Sequence, residues 1–222
     1  MRLSIFDLDE TITATPTFLR WILFWVRTEA PWRAPLLLLA GLACVPWALG
    51  WTSRGGLKSF AARMAMGSAI SRARLVRAAS AFAERELRVN VLADAVARIA
   101  AERAQGRAVV LASASFHAYV SAFGERLGAA AAIGTLMPEI DDERLRPVVY
   151  GGNVYAAEKQ ARVAAWLRAQ GVERSAAHIR FFSDHISDAP MFGWADEAIA
   201  VNPRPALAAL AEANGWRVER WR

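Results

Sequence analysis

A short apolar run, Leu3 to Phe6, opens the chain and stops abruptly at Asp7 and Asp9. Runs of the same β-prone kind recur at Ala108–Ala112 (AVVLA), Ile179–Phe182 (IRFF) and Ala198–Val201 (AIAV). Brief continuous apolar runs fit strands buried on both faces and are too short for helices. Between them the apolar positions change period. Leu92, Val96, Ile99 and Ala100 recur at helical spacing, as do Val163, Trp166 and Leu167. Asn202 followed by Pro203 reads as an N-cap with proline at the first helical position, leading into Leu207, Leu210 and Ala211. Strands alternating with helices predict an α/β fold built on a doubly wound parallel sheet.

Two stretches break the alternation. Within Ile133–Tyr150 the charged run EIDDERLR separates two β-prone pieces, which predicts a small β-hairpin flap with Asp141, Asp142 and Glu143 in a solvated turn. The chain from 13 to 88 is too long for one crossover. It is expected to form an inserted, mainly helical cap, leaving 1–12 and 89–222 as the α/β core. Leu57, Phe60, Ala61, Met64 and Ala65 supply helical spacing there.

The first half of the insert is apolar to an unusual degree: FLRWILFWV at 18–26, then an uncharged run, APLLLLAGLACVPWALGW, at 34–51. Trp21, Trp25, Trp32, Trp47 and Trp51 fall here, flanked by Arg20, Arg27, Arg33 and Arg54. Tryptophan beside arginine at the ends of apolar segments is the pattern of a membrane interface. A cap of this size has little other surface on which to bury so many tryptophans. Gly41 and Pro46 interrupt the uncharged run, and the chain must return for its second core strand, so one isolated span is excluded. The expectation is a pair of short helices dipping in and out of one membrane face; a helical pair buried within the cap is the alternative.

Composition narrows the partners. The 222 residues are 55% apolar, and 27 basic against 21 acidic side chains leave a net charge of +6. That balance favours anions such as phosphorylated molecules and anionic membrane surfaces. No basic tail and no aromatic–basic repeat is present, so no nucleic-acid partner is expected. Cys44 is the single cysteine, which excludes an intramolecular disulfide and a cysteine-based metal site; it is expected to pack as a small hydrophobe. Asp7, Asp9 and Glu10 occupy the place where the apolar part of a signal peptide would fall, so the expected location is cytoplasmic. Lysine occurs only at Lys58 and Lys159, which makes each worth attention, because a compact ammonium is not always replaceable by a guanidinium.

Polar residues follow the predicted strands. Asp7 follows the first, Ser113 the second, and Ser183 and Asp184 the third. In an open parallel sheet, ligands bind at the carboxyl ends of strands, so distant segments converge on one edge. Asp7, Asp9, Asp184 and Asp188 would repel one another there unless a cation neutralised them, and oxygen-only ligands point to Mg²⁺. Ser113 offers a hydroxyl and Lys159 a positive charge for a phosphate beside that metal. Either Ser113 or Ser115 fits the hydroxyl's place, Ser115 having a helix cap as its other use. His117, His178 and His185 are expected to serve structure.

Four stretches in order, DLDET (7–11), LASAS (111–115), EK (158–159) and SDHISD (183–188), resemble the motifs of the haloacid dehalogenase-type phosphatases. An insert between the first and second motifs resembles subfamily I, and GGNVYAAEK together with DAPMFGWADEAIAVNPRPALAALAEANGW resembles its IB branch, which includes phosphoserine phosphatase. The resemblance implies a mechanism. Asp7 attacks phosphorus and becomes an aspartyl-phosphate, while Asp9 protonates the leaving alcohol and then activates water. Mg²⁺ is held by Asp7, the backbone carbonyl of Asp9, and Asp184. Ser113 and the amide of Ala114 bind phosphate oxygens, Lys159 neutralises the transferring group, Asp188 positions Lys159 or a metal-bound water, and Thr11 fixes the loop. Relatives that are ATPases carry threonine two after the nucleophile, so Asp9 indicates a phosphatase or phosphotransferase. A receiver domain also combines acids, a hydroxyl and a lysine, but its phosphorylated aspartate follows a later strand.

For the substrate, Pro16 stands where phosphoserine phosphatase carries an acid that grips its substrate's amino end. The greasy insert instead resembles that of phosphatidylglycerophosphatase C. The expected substrate is therefore a lipid headgroup phosphate such as phosphatidylglycerophosphate. Arg20, Arg27, Arg33, Arg54 and Lys58 would meet anionic lipid, and the protein would sit peripherally on the cytoplasmic face of the inner membrane. A small soluble phosphomonoester is the alternative, and a non-catalytic membrane-docked scaffold the third possibility.

Overall fold

A computed structural model describes residues 1–42 and 50–222. Cys44, Pro46 and Trp47, each given an expected role above, lie outside the described residues. Six parallel strands form one sheet in the order β4-β3-β1-β6-β7-β8. They are β1 (Arg2–Phe6), β3 (Ala108–Phe116), β4 (Ala131–Thr135), β6 (His178–Ser183), β7 (Glu197–Val201) and β8 (Arg217–Glu219). The first strand lies in the middle, with Phe6 level with Leu111 on one side and Phe182 on the other. Strand order reverses at β1, and this is the crevice where open α/β sheets bind ligands.

Both faces of the sheet are covered, which is why the strands read as unbroken apolar runs. Leu3 and Ile5 pack towards Val163 and Leu167 of α7 (Ala157–Ala169), Phe192 of α8 (Ala189–Trp194) and Leu207 of α9 (Pro205–Asn214). Phe6 faces the other way and stacks on Phe182 at 4.2 Å, in a cluster with Ile99 of α5 (Ala93–Ala104) and Tyr119 and Phe123 of α6 (His117–Leu127). Gly134 of β4 passes so close to the first turn of α6 that an added Cβ would sit 2.6 Å from the His117 Cα. Only glycine permits that approach.

The segment between β1 and β3 holds α1 (Thr17–Thr28), α2 (Leu36–Leu42), α3 (Arg54–Met66) and α4 (Arg72–Val89). Ser53 and Ser71 cap α3 and α4, accepting from the amides of Gly56 and Arg74 at 3.1 and 3.2 Å. Trp21 and Trp25 are fully buried. The Trp21 ring lies 5.3 Å from both Phe82 of α4 and Tyr119 of α6, so the insert and the sheet layer share one core. This corrects the expectation that lack of internal space drives these two tryptophans to a membrane. Arg20 is likewise committed inward, to the buried Glu86, which also accepts from Asn90 at 2.9 Å. Trp32, Leu38 and Trp51 remain exposed. Among the described residues no helix is long and apolar enough to cross a membrane.

Two local expectations shift. Helix α9 starts at Pro205, not after Asn202; Asn202 adopts φ 43° and exchanges hydrogen bonds with the backbone of Trp221. Two prolines in NPRP offered the same signal, and the tertiary bond to Trp221 decided between them. In the flap, Ile133 belongs to β4, the parallel edge of the main sheet. The small antiparallel sheet pairs β5 (Arg144–Leu145) with β2 (Ile70–Ser71) of the insert. The hairpin itself forms, through the antiparallel bridges Leu136–Tyr150 and Glu139–Leu145, and begins at Leu136 instead of Ile133.

Candidate active site

The carboxyl ends of β1, β3 and β6 border a cavity of about 320 Å³. Asp7 and Asp9 line it from the first strand, Ala114 from the second, Asp184 and Asp188 from the third, and Lys159 from the first turn of α7. The Asp7 amide donates to the Phe182 carbonyl at 2.9 Å, fastening the loop to the neighbouring strand as β1 ends. Glu10, just beyond, takes a left-handed φ of 56°, a conformation costing about 1 kcal/mol and typical of functional loops.

Lys159 is buried, with its ammonium 3.1 Å from Asp7 Oδ1 and 2.6 Å from Asp188 Oδ2. Burial opposes its charge, but Asp188 and Asp7 outweigh burial and hold it protonated well above the usual lysine range. Asp7 is pushed well above the usual carboxylate range, first by burial and then by Asp188, Asp184 and Asp9, with Lys159 pulling the other way. Asp184 is raised to about 6, by burial and then by Glu10. Its amide donates to Thr11 Oγ1 at 3.0 Å, and Thr11 donates back to Asp184 Oδ1 at 3.1 Å, so Thr11 ties the first loop to the last. Asp188 receives Lys159 and Ser183 on Oδ2, leaving Oδ1 buried without a partner among the described residues.

These features bear on a cation. Among the described residues no three acidic, histidine or cysteine side chains form a metal cluster. The expected set needs only two carboxylates and the Asp9 carbonyl. Buried carboxylates with raised pKa and an orphaned oxygen on Asp188 are the environment that a hard, oxygen-seeking dication relieves. The residues present therefore fit Mg²⁺.

Asp9 accepts from the Thr17 amide and hydroxyl at 2.5 and 2.6 Å and from Ser115 Oγ at 2.7 Å. Ser115 thus serves Asp9 and does not cap α6, whose N-terminus has no side-chain cap. Ser113 is fully buried and accepts from the Ser115 amide at 3.1 Å, while Ala114 forms the cavity wall beside it. His185 borders the cavity and bonds Ser187 at 2.8 Å; His117 bonds Ser121 and His178 approaches Glu197, both away from it.

Sequence reasoning missed one wall. Lys58 does not face outward to lipid. From α3 it points into the cavity, where Nζ donates to the Ala114 carbonyl at 2.9 Å and to Asn153 Oδ1 at 3.2 Å. Arg54, Tyr155 and Arg204 join it, Arg204 paired with Glu10 at 2.8 Å. The scarcity of lysine was a signal: both lysines of the chain reach this cavity. Burial lowers the Lys58 pKa from 10.5 to about 8, against the pull of Asp9 and Asp7. The unfolded chain then binds more protons between those values, so folding stability rises with pH across that window. Lys58→Met should raise the stability of the ligand-free protein most at pH 7, by about 1–2 kcal/mol once the lost bonds to Ala114 and Asn153 are counted. The gain should shrink steadily as pH climbs past 8, and melting curves running parallel from pH 7 to 10 would contradict it.

Comparison with known proteins accords with this geometry. The family model of haloacid dehalogenase-like hydrolases matches residues 5–193. A probable phosphatase of Mycobacterium tuberculosis is 32% identical over 58% of this chain, a stretch spanning 43% of that protein's length. A Bordetella pertussis Tohama I protein of unknown function superposes with a TM-score of 0.81 at 25% identity, covering 98% of this chain and 97% of its own. A probable phosphoserine phosphatase from Vibrio cholerae shares the fold, with a TM-score of 0.65 at 17% identity over 100% of this chain and 61% of its own. With acids at two strand ends, a buried lysine between Asp7 and Asp188, and a family model that spans all four motifs, the chain belongs to the haloacid dehalogenase-like hydrolases.

Proposed function

We propose that the protein is a Mg²⁺-dependent phosphomonoester phosphatase working through an aspartyl-phosphate on Asp7. One observation carries this: the Lys159 ammonium stands 3.1 Å from Asp7 and is anchored on Asp188, so a buried cation waits beside the nucleophile. An Asp7 oxygen forms a bond to phosphorus as the ester P–O bond breaks, and Asp9 gives its proton to the departing alcohol. Water then attacks phosphorus, yields a proton to Asp9 and frees the Asp7 carboxylate. Ser113 and the Ala114 amide would orient phosphate oxygens, and Lys159 would balance charge on the transferring group. Mg²⁺ bound by Asp7, the Asp9 carbonyl and Asp184 would neutralise phosphoryl charge. Thr11 would keep the two ligand loops together, and Asp188 would hold Lys159 in line.

The substrate we infer is a phosphate at a membrane surface, of the kind carried by a lipid headgroup, with the protein docked peripherally on the cytoplasmic side. Support comes from Leu19, Trp32, Leu38, Leu39 and Trp51, apolar side chains left exposed on the helical insert. A phosphate-release panel of phosphatidylglycerophosphate, lysophosphatidate, phosphoserine, sugar phosphates and p-nitrophenyl phosphate tests both parts. Release should fall at least about 100-fold when EDTA removes Mg²⁺ and return when Mg²⁺ is restored. Metal-independent release, or none from any substrate, would overturn the phosphatase; phosphoserine or a sugar phosphate outrunning the lipids would overturn the membrane substrate alone.

A further inference from the structure

The two oxygens of Asp9 are held unequally. Thr17, at the start of α1, donates to Oδ1 through both its amide and its hydroxyl, at 2.5 and 2.6 Å. A carboxylate oxygen offers about two acceptor sites, so these donors fill Oδ1. Oδ2 takes Ser115 Oγ at 2.7 Å, and among the described residues no second donor reaches it. Asp9 is half-buried on the cavity wall, so the remaining site on Oδ2 is the one left for a substrate.

The backbone is shaped to deliver the Ser115 bond. Ala112 is level with Ile133 and Phe116 with Thr135, so β3 takes four steps where β4 takes two. The resulting bulge holds Ser113, Ala114 and Ser115, and bulges re-aim side chains beside active sites. Gly134 of β4 backs it closely: a Cβ there would lie 3.0 Å from the Ser115 carbonyl oxygen. Ser115 is buried, its hydroxyl 3.1 Å from that of Thr17, and the Tyr119 hydroxyl lies 3.4 Å beyond Thr17. Burial pushes the Tyr119 phenol well above its usual range, so it stays protonated. The shell behind Asp9 is therefore neutral, able to orient the carboxyl without competing for its proton.

We propose that Ser115 is a positioning residue that makes Oδ2 the working oxygen of Asp9. Oδ2 carries the proton on its free site and passes it to the ester oxygen as the P–O bond breaks. The attacking water later returns a proton to the same site. Ser115 keeps its bond to the other site of Oδ2 throughout, so the carboxyl need not rotate between the two half-reactions. This rests on the phosphatase function proposed above and adds to it a residue that acts only through Asp9.

Phosphates of graded leaving-group acidity test it: p-nitrophenyl, phenyl and benzyl phosphate. p-Nitrophenolate departs with little help from an acid, whereas benzyl alcohol must be protonated as it leaves. With Mg²⁺, Ser115→Ala should lower kcat/KM for benzyl phosphate at least about tenfold more than for p-nitrophenyl phosphate, with phenyl phosphate between them. Ser115→Thr, which restores a hydroxyl, should recover most of the wild-type ratio. An equal loss on all three substrates, or no loss on any, overturns the proposal while the phosphatase stands. A wild type that cleaves p-nitrophenyl but not benzyl phosphate has no working acid, which overturns it as well. If the wild type releases phosphate from none of the three nor from the panel above, the phosphatase function fails and the role of Ser115 with it. Ser115→Gly deletes the same hydroxyl and decides the matter if the alanine variant does not fold.

Discussion

Asp7→Asn should reduce phosphate release from every substrate by at least about 10⁴-fold while leaving the fold intact, because loss of a nucleophile removes the covalent route as a whole. An amide at this position retains size and the contact with the Leu8 amide, which donates to Asp7 Oδ1 at 2.8 Å. It cannot form the acyl phosphate. Asparagine also removes one of the crowded negative charges that lift Asp7 and its neighbours, so the melting temperature should be unchanged or higher. Stopped-flow or radiolabel trapping should find phosphate on the wild-type chain and none on the variant. Release within tenfold of wild type would remove Asp7 from the reaction.

The largest effect on stability should come from the opposite end of the sheet. Glu102 of α5 is fully buried and accepts from Ser4 Oγ at 2.5 Å, Arg98 at 2.8 Å and Arg180 at 3.1 Å, with Arg107 at 3.2 Å. Arg107 is itself buried and reaches the carbonyls of Leu3 and His178, lacing β1 to β6. Glu102→Leu removes the one negative charge at the centre and leaves a guanidinium buried beside leucine. Breaking such a pair costs about 3–5 kcal/mol, which for a chain of this size lowers Tm by roughly 10 °C or more. Glu102→Leu combined with Arg107→Met should recover much of the loss, since an apolar pair of similar volume replaces buried ions at little cost. A single variant melting within 2 °C of wild type would show that the cluster is not structural.

How far the sequence discloses this molecule depends on whether the deciding contact is local. Strand β1 is legible because a short, mostly apolar run ending in two aspartates has few other uses, and Asp7, Asp184 and Lys159 follow from strand ends and motif order. Trp21 and Trp25 were misleading for a physical reason. Tryptophan beside arginine has the same pattern on an interfacial helix and on a helix whose other face packs inward, and only Phe82 and Tyr119, about 60 and 100 residues on, tell them apart. Lys58 was illegible in role though conspicuous in rarity, because Ala114 and Asn153 lie far along the chain. Ile133 joined β4 for the same reason: its partner is Ala112, not the following β-prone piece.

The shared core of Trp21, Phe82 and Tyr119 constrains how anything enters. Swinging the helical insert clear of the sheet would wet three large rings, at about 10 kcal/mol by area. Asn90 adds a latch, accepting from the amide and hydroxyl of Thr15 at 3.1 and 2.8 Å where the chain leaves and re-enters the sheet layer. The far side is held more lightly, by Lys58 on Ala114 and by Ser59 accepting from the Val149 amide at 2.9 Å. Any loosening of the insert should therefore begin beneath helix α3, where these lighter bonds give way before the aromatic core does.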